Sequence, residues 1–188
     1  MRGSSSRTPR GRDTPAADVI ARARRVGLVL LDVDGVLAAD RLLIDSRGRE
    51  LRAFSGRDLA AVTLLVRAGI RVALLTDRRA TVARLGRALA VSAVVERVTT
   101  GVAAARRLCR RWRLTPSELA FVGDDLLDQP LFAFAGLAIT VGDGAPGLRR
   151  HVHFATRADG GGGAVREVAE LVLRAQGKWA SVLGESMR

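Results

Sequence analysis

The stretch GLVLLDVDGVL, residues 27–37, decides how the rest of the chain is read. Val29, Leu30 and Leu31 form a short apolar run of the kind buried on both faces of a parallel sheet. The run predicts a strand over residues 28–32. It ends in Asp32, Val33, Asp34 and Gly35, so two carboxylates stand at i and i+2 at the carboxyl end of a buried strand. Such a pair is a poor core element, because a buried carboxylate is costly to desolvate unless a cation meets it. Gly35 permits a sharp turn just behind the pair. In open α/β sheets the ligand crevice lies beyond the carboxyl ends of the strands. Two oxygen donors placed there suit a hard cation such as Mg2+. Alone, an Asp-x-Asp-Gly segment is in most sequences an acidic turn after a strand, so its meaning depends on partners elsewhere in the chain.

Working outward, residues 1–13 are rich in Ser, Gly, Arg and Pro and read as a disordered basic arm. Thr14 and Pro15 resemble a helix start, with Thr14 as cap and Pro15 at the first helical position, for a helix reaching about residue 25. Residues 42–44 and 50–54 flank Asp45-Ser46-Arg47-Gly48 and predict a β-hairpin. Further strands are predicted over residues 70–75, 93–95, 119–122, 137–141 and 152–155. Helices are predicted over 57–67, closed by Gly69, and over 79–90, 102–113, 130–134 and 164–175. The helix over 102–113 places Arg106, Arg107, Arg110 and Arg111 on its wet side and Cys109 in the core. Thr115-Pro116-Ser117-Glu118 has the form of a capping box. Gly160–Gly163 lacks the spacing of a dinucleotide loop and reads as a flexible hinge. Short apolar strands alternating with helices predict an α/β, doubly wound parallel sheet. The arm is followed by one domain over residues 14–178 and a C-terminal tail over 179–188.

Three of these strands end in polar residues of one chemistry. The first ends in Asp32 and Asp34, the second in Thr76-Asp77-Arg78, and a later one in Gly123-Asp124-Asp125. Parallel strands bring such ends to one edge. A crevice there would hold several carboxylates, a hydroxyl and a guanidinium. Mg2+ is typically held by carboxylates together with a substrate phosphate, and a carboxylate beside it can attack phosphorus.

Composition narrows the alternatives. The 188 residues suffice for one domain with a core. No apolar run is long enough to span a membrane, and the start has no apolar signal region. Cys109 is the single cysteine, which excludes an intrachain disulfide and fits a cytoplasmic location. The net charge is +12, but all but one of the 31 basic residues are Arg, with Lys178 the exception. Residues 1–26 hold seven Arg and two Asp, so much of the excess lies in the arm. Aromatic residues are few and not interleaved with the basic ones, which argues against a nucleic-acid platform. His151 and His153 have no third metal ligand in sight, and Trp112 and Trp179 read as packing residues.

The combination Asp-Val-Asp-Gly-Val-Leu, a strand ending in Thr76, and Gly-Asp-Asp-Leu-Leu-Asp resembles the haloacid dehalogenase superfamily of phosphotransferases. Residues 50–54, Arg57-Asp58, the segment from Phe121 to Pro130, residues 163–167 and residues 175–178 resemble its 3-deoxy-D-manno-octulosonate 8-phosphate phosphatase subfamily. The resemblance spans roughly residues 27–178. It implies a Rossmann-like sheet with a small β-hairpin insertion and no cap domain, since only about 43 residues separate Asp34 from Asp77. It implies Asp32 as nucleophile and Asp34 as general acid and base. It implies Mg2+ held by the Asp32 carboxylate, the Asp34 carbonyl and the Asp124 carboxylate, with Asp125 and Asp128 in support. Thr76 would bind a phosphoryl oxygen, and Arg57 and Arg78 would contact a phosphorylated sugar acid of carbohydrate or lipopolysaccharide biosynthesis. The resemblance further implies a homotetramer in which hairpins and C-terminal tails close neighbouring sites.

The chain departs from that pattern at four places. The family's Lys before the helix leading to Gly-Asp-Asp is replaced by Gly101. The Gly of its Thr-Gly-Arg is Asp77, the Gly after Arg-Asp is Leu59, and the Arg of its Gly-Gly-Arg-Gly is Gly162. Arg97, Arg78 and Arg106 are candidates to supply the missing charge. Two readings therefore stand: a Mg2+-dependent sugar-phosphate phosphatase, or a catalytically impaired homologue that binds or scaffolds.

Overall fold

Every residue of Leu28–Asp32 is buried, so this segment needs hydrogen-bonded neighbours on both edges and cover on both faces. The computed structural model, which describes residues 15–41, 43–97 and 101–186, supplies both. Its strands are β1 (Leu28–Asp32), β2 (Leu43–Ile44), β3 (Glu50–Leu51), β4 (Arg71–Thr76), β5 (Ala93–Glu96), β6 (Leu119–Gly123), β7 (Leu137–Thr140) and β8 (Phe154–Ala155). Its helices are α1 (Ala17–Ala23), α2 (Gly56–Arg67), α3 (Arg79–Ala88), α4 (Val102–Trp112), α5 (Gln129–Phe134), α6 (Ala164–Ala175) and α7 (Trp179–Ser186). Six strands form one parallel sheet in the order β5-β4-β1-β6-β7-β8. β1 is central, with Leu31 opposite both Leu74 and Val122.

Side chains along each strand alternate between two cores. Val29, Leu31, Val72 and Leu74 pack with α1, α2, α3, α6 and α7 on one face. Leu28, Leu30, Ala73, Leu75 and Phe121 pack with α4 and α5 on the other. The doubly wound parallel sheet predicted from the sequence is thus present. Among the described residues no helix is long and apolar enough to cross a membrane.

Between β1 and β4 the chain forms the β2–β3 hairpin and then α2. Leu43 pairs with Leu51 and Ile44 with Glu50. Asp45 closes the turn, its Oδ1 accepting from the Arg47 and Arg49 amides at 2.9 and 2.8 Å. Residue 42, predicted to open the first strand, lies outside the described residues. Phe54 does not extend the hairpin; it bridges antiparallel to Ala38 and ties the return strand to the loop after β1.

Two local expectations need correction, and the tail takes a form that the sequence left open. Helix α1 starts at Ala17, not at Pro15, because its cap, Ala16, is held extended at ψ 150°; Thr14 lies outside the described residues. The tail after residue 178 is helical through Ser186, with Val182 buried against the core beside Trp179 and Leu183. The second correction matters most. Gly160–Gly163 is a packed turn rather than a hinge. The Gly160 amide donates to Asp143 Oδ1 at 2.8 Å, Gly161 to the Val36 carbonyl at 2.8 Å and Gly163 to Asp58 Oδ2 at 2.9 Å. A Cβ on Gly160 would overlap the Gly35 carbonyl, and one on Gly161 would overlap the Ala39 amide. These glycines are present because backbone meets backbone there.

Gly160→Ala is therefore expected to destabilise the fold by about 2–4 kcal/mol, the range for forced overpacking plus backbone displacement. Gly56→Ala, in open space at the start of α2, is expected to be neutral or stabilising. Urea unfolding of both variants checks this; equal midpoints would contradict the close packing.

Candidate active site

β4, β1 and β6 are adjacent and parallel, so Thr76, Asp32 and Asp124 emerge at one edge of the sheet. Gly35 makes that convergence possible. Its φ is +82°, and any Cβ there would overlap the Asp124 carboxylate. Gly123 plays the same part for Asp128, whose Oδ2 occupies the space a side chain at 123 would fill. As a result one oxygen from each of Asp32, Asp124 and Asp128 lies within 4.8 Å of the others. Three hard oxygen donors at that spacing fit the preference of Mg2+.

The cluster is electrostatically unbalanced. Burial pushes the Asp32 carboxyl well above the ordinary carboxylate range; Arg97 opposes the shift, while Asp128 and Asp124 add to it. Burial, with Asp128, Asp40 and Asp125 nearby, pushes Asp124 up to about 7. Asp32 is not free to rotate, since its Oδ1 accepts from the Val33 amide at 2.7 Å. A divalent cation would relieve both carboxyls.

The cation already present is Arg97, at the carboxyl end of β5. Its Nη2 bonds Asp32 Oδ2, its Nη1 donates to Asp128 Oδ1 at 2.6 Å, and its Nε lies 3.5 Å from Asp77 Oδ1. Of the three arginines considered from the sequence, this one reaches the cluster. Arg106 instead stacks on Phe134, 4.9 Å from the ring centre. Arg78 pairs with Glu50 of the hairpin, and its amide donates to Thr76 Oγ1 at 3.0 Å. Thr76 itself is buried at the end of β4.

Asp34 stands apart from the metal-type cluster. Its side chain is half exposed and forms a two-pronged pair with Arg52, at 2.5 and 3.1 Å. Arg52 was not singled out from the sequence, although it lies within the segment 50–54 that carried the resemblance. The hairpin thus sends Glu50 and Arg52 to two residues beside the crevice. Asp125 is exposed and caps the single turn Leu126–Asp128, accepting from the Leu127 amide at 2.8 Å. Arg57 is exposed in the first turn of α2 and, among the described residues, forms no ion pair with the cluster. Its neighbour Asp58 is fully buried and caps α6 from another helix, accepting from the Gly163 and Arg166 amides, both at 2.9 Å.

The remaining side chains singled out from the sequence have packing roles. His153 Nδ1 accepts from the Ala138 amide at 2.9 Å, and His151 Nε2 accepts from Arg150 at 3.0 Å. Trp179 is flanked by Arg166 and Arg174 at 4.9 and 5.0 Å, and Arg71 lies 5.7 Å from Trp112. Cys109 is buried.

No family model matches the chain. Comparison with known proteins finds 3-deoxy-D-manno-octulosonate 8-phosphate phosphatase KdsC of Escherichia coli (strain K12) to be 37% identical over 173 residues, covering 92% of each chain. The crystal structure of the phosphatase of the same name from Yersinia pestis superposes with a TM-score of 0.83 at 36% identity, covering 87% of this chain and 89% of that one. The structure of the Moraxella catarrhalis phosphatase, solved in complex with a magnesium ion, a phosphate ion and a KDO molecule, gives a TM-score of 0.84 at 31% identity. It covers 89% of this chain and 97% of that one.

The raised Asp124 carboxyl gives a test with a defined sign. A carboxyl whose pKa is raised by folding holds its proton where the unfolded chain has lost it. The metal-free fold is favoured by this term at low pH and loses that advantage as pH rises through about 7. At pH 8, Asp124→Asn is expected to raise the Tm of the metal-free protein by about 2–4 °C, the shift made by ~1 kcal/mol in a chain of this size. The same variant is expected to abolish the Tm increase that Mg2+ gives the parent. An undiminished Mg2+ effect in the variant would contradict the assignment.

Proposed function

The chain belongs to the 3-deoxy-D-manno-octulosonate 8-phosphate phosphatase family of the haloacid dehalogenase superfamily, and from that premise we propose that it hydrolyses an acidic sugar phosphate through a phosphoryl group carried on Asp32. It is a phosphatase with Mg2+ as its cofactor. One observation carries the reading: Asp32, Asp124 and Asp128 converge at the end of the central strand, where their mutual repulsion costs stability. Carboxylates gathered this closely in a crevice, two of them pushed above the ordinary range, are a signature of function.

In this reading Asp32 attacks phosphorus in line with the ester bond. The new bond joins an Asp32 oxygen to phosphorus, and the bond to the sugar oxygen breaks. Asp34 gives its proton to that oxygen, then takes one from the water that attacks the phosphorylated Asp32. Asp34 is half exposed at the open side of the crevice, where the leaving sugar and water would both arrive, and the Arg52 fork that now occupies both its oxygens would release one of them for Asp34 to carry the proton. Thr76 would donate its hydroxyl to a phosphoryl oxygen. Mg2+, held by Asp32, the Asp34 carbonyl and Asp124 with Asp128 and Asp125 in support, would neutralise charge on the transferring group. Arg78 and Arg57 would meet the sugar acid. A 3-deoxy-D-manno-octulosonate 8-phosphate-like substrate is supported by the relatives' names, and the reaction would then belong to carbohydrate or lipopolysaccharide biosynthesis.

A cytoplasmic homotetramer is the assembly proposed with this function. Leu43, Ile44 and Leu51 expose 44%, 61% and 48% of their surface on the hairpin, and a second copy would cover them. The impaired-homologue reading drew its support from Gly101. A guanidinium bonded to Asp32 argues against it.

Mg2+-dependent phosphate release from 3-deoxy-D-manno-octulosonate 8-phosphate, measured beside other sugar phosphates, tests the proposal. Turnover is expected to fall to background in Asp32→Asn and with a chelator. A folded, Mg2+-binding parent that releases no phosphate from any of them would sink it.

A further inference from the structure

A dianionic phosphoryl group on Asp32 requires a fixed cation nearby, and position 101 does not supply one. Gly101 has φ +71° and begins α4 in the left-handed region. A Cβ there would meet Leu131 Cδ1 at 2.9 Å and Leu75 Cδ2 at 3.1 Å. Both are buried in the core under α4 and α5, so a side chain at 101 would enter apolar packing rather than the crevice.

Arg97 approaches from the neighbouring strand. β5 pairs with β4 so that Glu96 lies opposite Thr76, and the Arg97 amide then donates to the Thr76 carbonyl at 3.0 Å. That bond fixes its backbone beside the phosphoryl-binding edge. The guanidinium is largely buried and meets three carboxylates, Asp32, Asp128 and Asp77. Of the five N–H donors of an arginine fork, one bonds Asp32 and one bonds Asp128. N–H groups remain for an oxygen arriving at Asp32. Asp77, the acid found where the family has glycine, lies on the Nε side of the fork. The departures at 101 and 77 thus become parts of one device: the acid at 77 meets the arginine that stands in for the cation missing at 101.

We propose that Arg97 is the catalytic cation of this site, contacting the phosphoryl oxygens at Asp32, with Asp77 and Asp128 as positioning residues for its fork. The proposal deepens the phosphatase reading and rests on it for the reaction, though not for the binding of phosphate. It has a consequence that a structural ion pair lacks. Arg97 repels Mg2+ from the carboxylates it shares and attracts phosphate to them. Removing it must strengthen one ligand while weakening the other.

The test uses the full chain, with Mg2+ alone and inorganic phosphate as probes. In Arg97→Ala, kcat is expected to fall by about 10²–10³, the cost of removing one fixed charge from such a transition state. Phosphate affinity at saturating Mg2+ is expected to fall by about tenfold or more, while Mg2+ binds as tightly as in the parent or more so. Added guanidinium ion is expected to restore part of the turnover of Arg97→Ala and none of that of Asp32→Asn. Asp77→Gly is expected to lower kcat in the parent and to have no effect when Arg97 is already Ala. Arg97→Gln repeats the measurements if the Ala variant does not fold. Phosphate affinity and kcat within about threefold of the parent would overturn the proposal; so would a parallel loss of Mg2+ and phosphate binding. Should the parent turn over no sugar phosphate, the phosphatase reading fails separately. The phosphate affinity of the Arg97 variants then decides this proposal, an unchanged value overturning it.

Discussion

The structure is governed by negative charge gathered where three parallel strands end. Asp32, Asp124 and Asp128 face one another across a few ångströms, and burial raises both Asp32 and Asp124 out of the ordinary carboxylate range. Folding works against this cluster. It persists because the core beneath it, the buried runs of β1, β4 and β6, supplies stability in excess of the cost. The arrangement is completed only by positive charge. Arg97 provides part of it within the chain, and a divalent cation is the natural complement. The same imbalance that costs stability in the metal-free protein favours a divalent cation at the site.

Holding Asp32 in place depends on a second layer that is mostly backbone. The turn at Gly160 and Gly161 presses directly on the chain from Gly35 to Ala39. Asp143 and Asp58 fix that turn by accepting its amides. Asp58 also caps α6, which joins α2, α6 and the loop after β1 into one unit. A misplaced nucleophile costs rate even when the chemistry is intact, so the buried Asp58 and the exposed Asp143 would serve the reaction without touching it. The hairpin works on the opposite side, where Arg52 and Glu50 pair with Asp34 and Arg78.

Much of this was legible in the sequence. Apolar runs of four to six residues between helical periods identified the sheet, because a strand covered on both faces must be apolar throughout. The convergence of Asp32, Thr76 and Asp124 followed from parallel strands alone. What was not legible has three physical causes. The sequence offered Arg97 only as one of three candidate cations and did not single out Arg52, because such contacts span distances that no local pattern records; one of thirty arginines differs from another only by where the fold sends it. The four glycines from 160 to 163 carry a signal with two meanings. Glycine marks freedom in an open loop and close approach in a packed one, and only the neighbouring backbone distinguishes them. The helical form of residues 179–186 was likewise hidden, since its stability comes from docking Val182 and Trp179 on the core rather than from local propensity.

The central claim is that the β1 carboxylate at position 32 carries the phosphoryl group. Borohydride reduction of enzyme quenched during turnover, followed by peptide mass spectrometry, tests it most directly, because an acyl phosphate is reduced where a free carboxylate is not. The account predicts conversion of Asp32 to homoserine, dependent on both Mg2+ and substrate. Reduction at Asp34 or Asp124 instead, or none in an enzyme that is turning over, would contradict it.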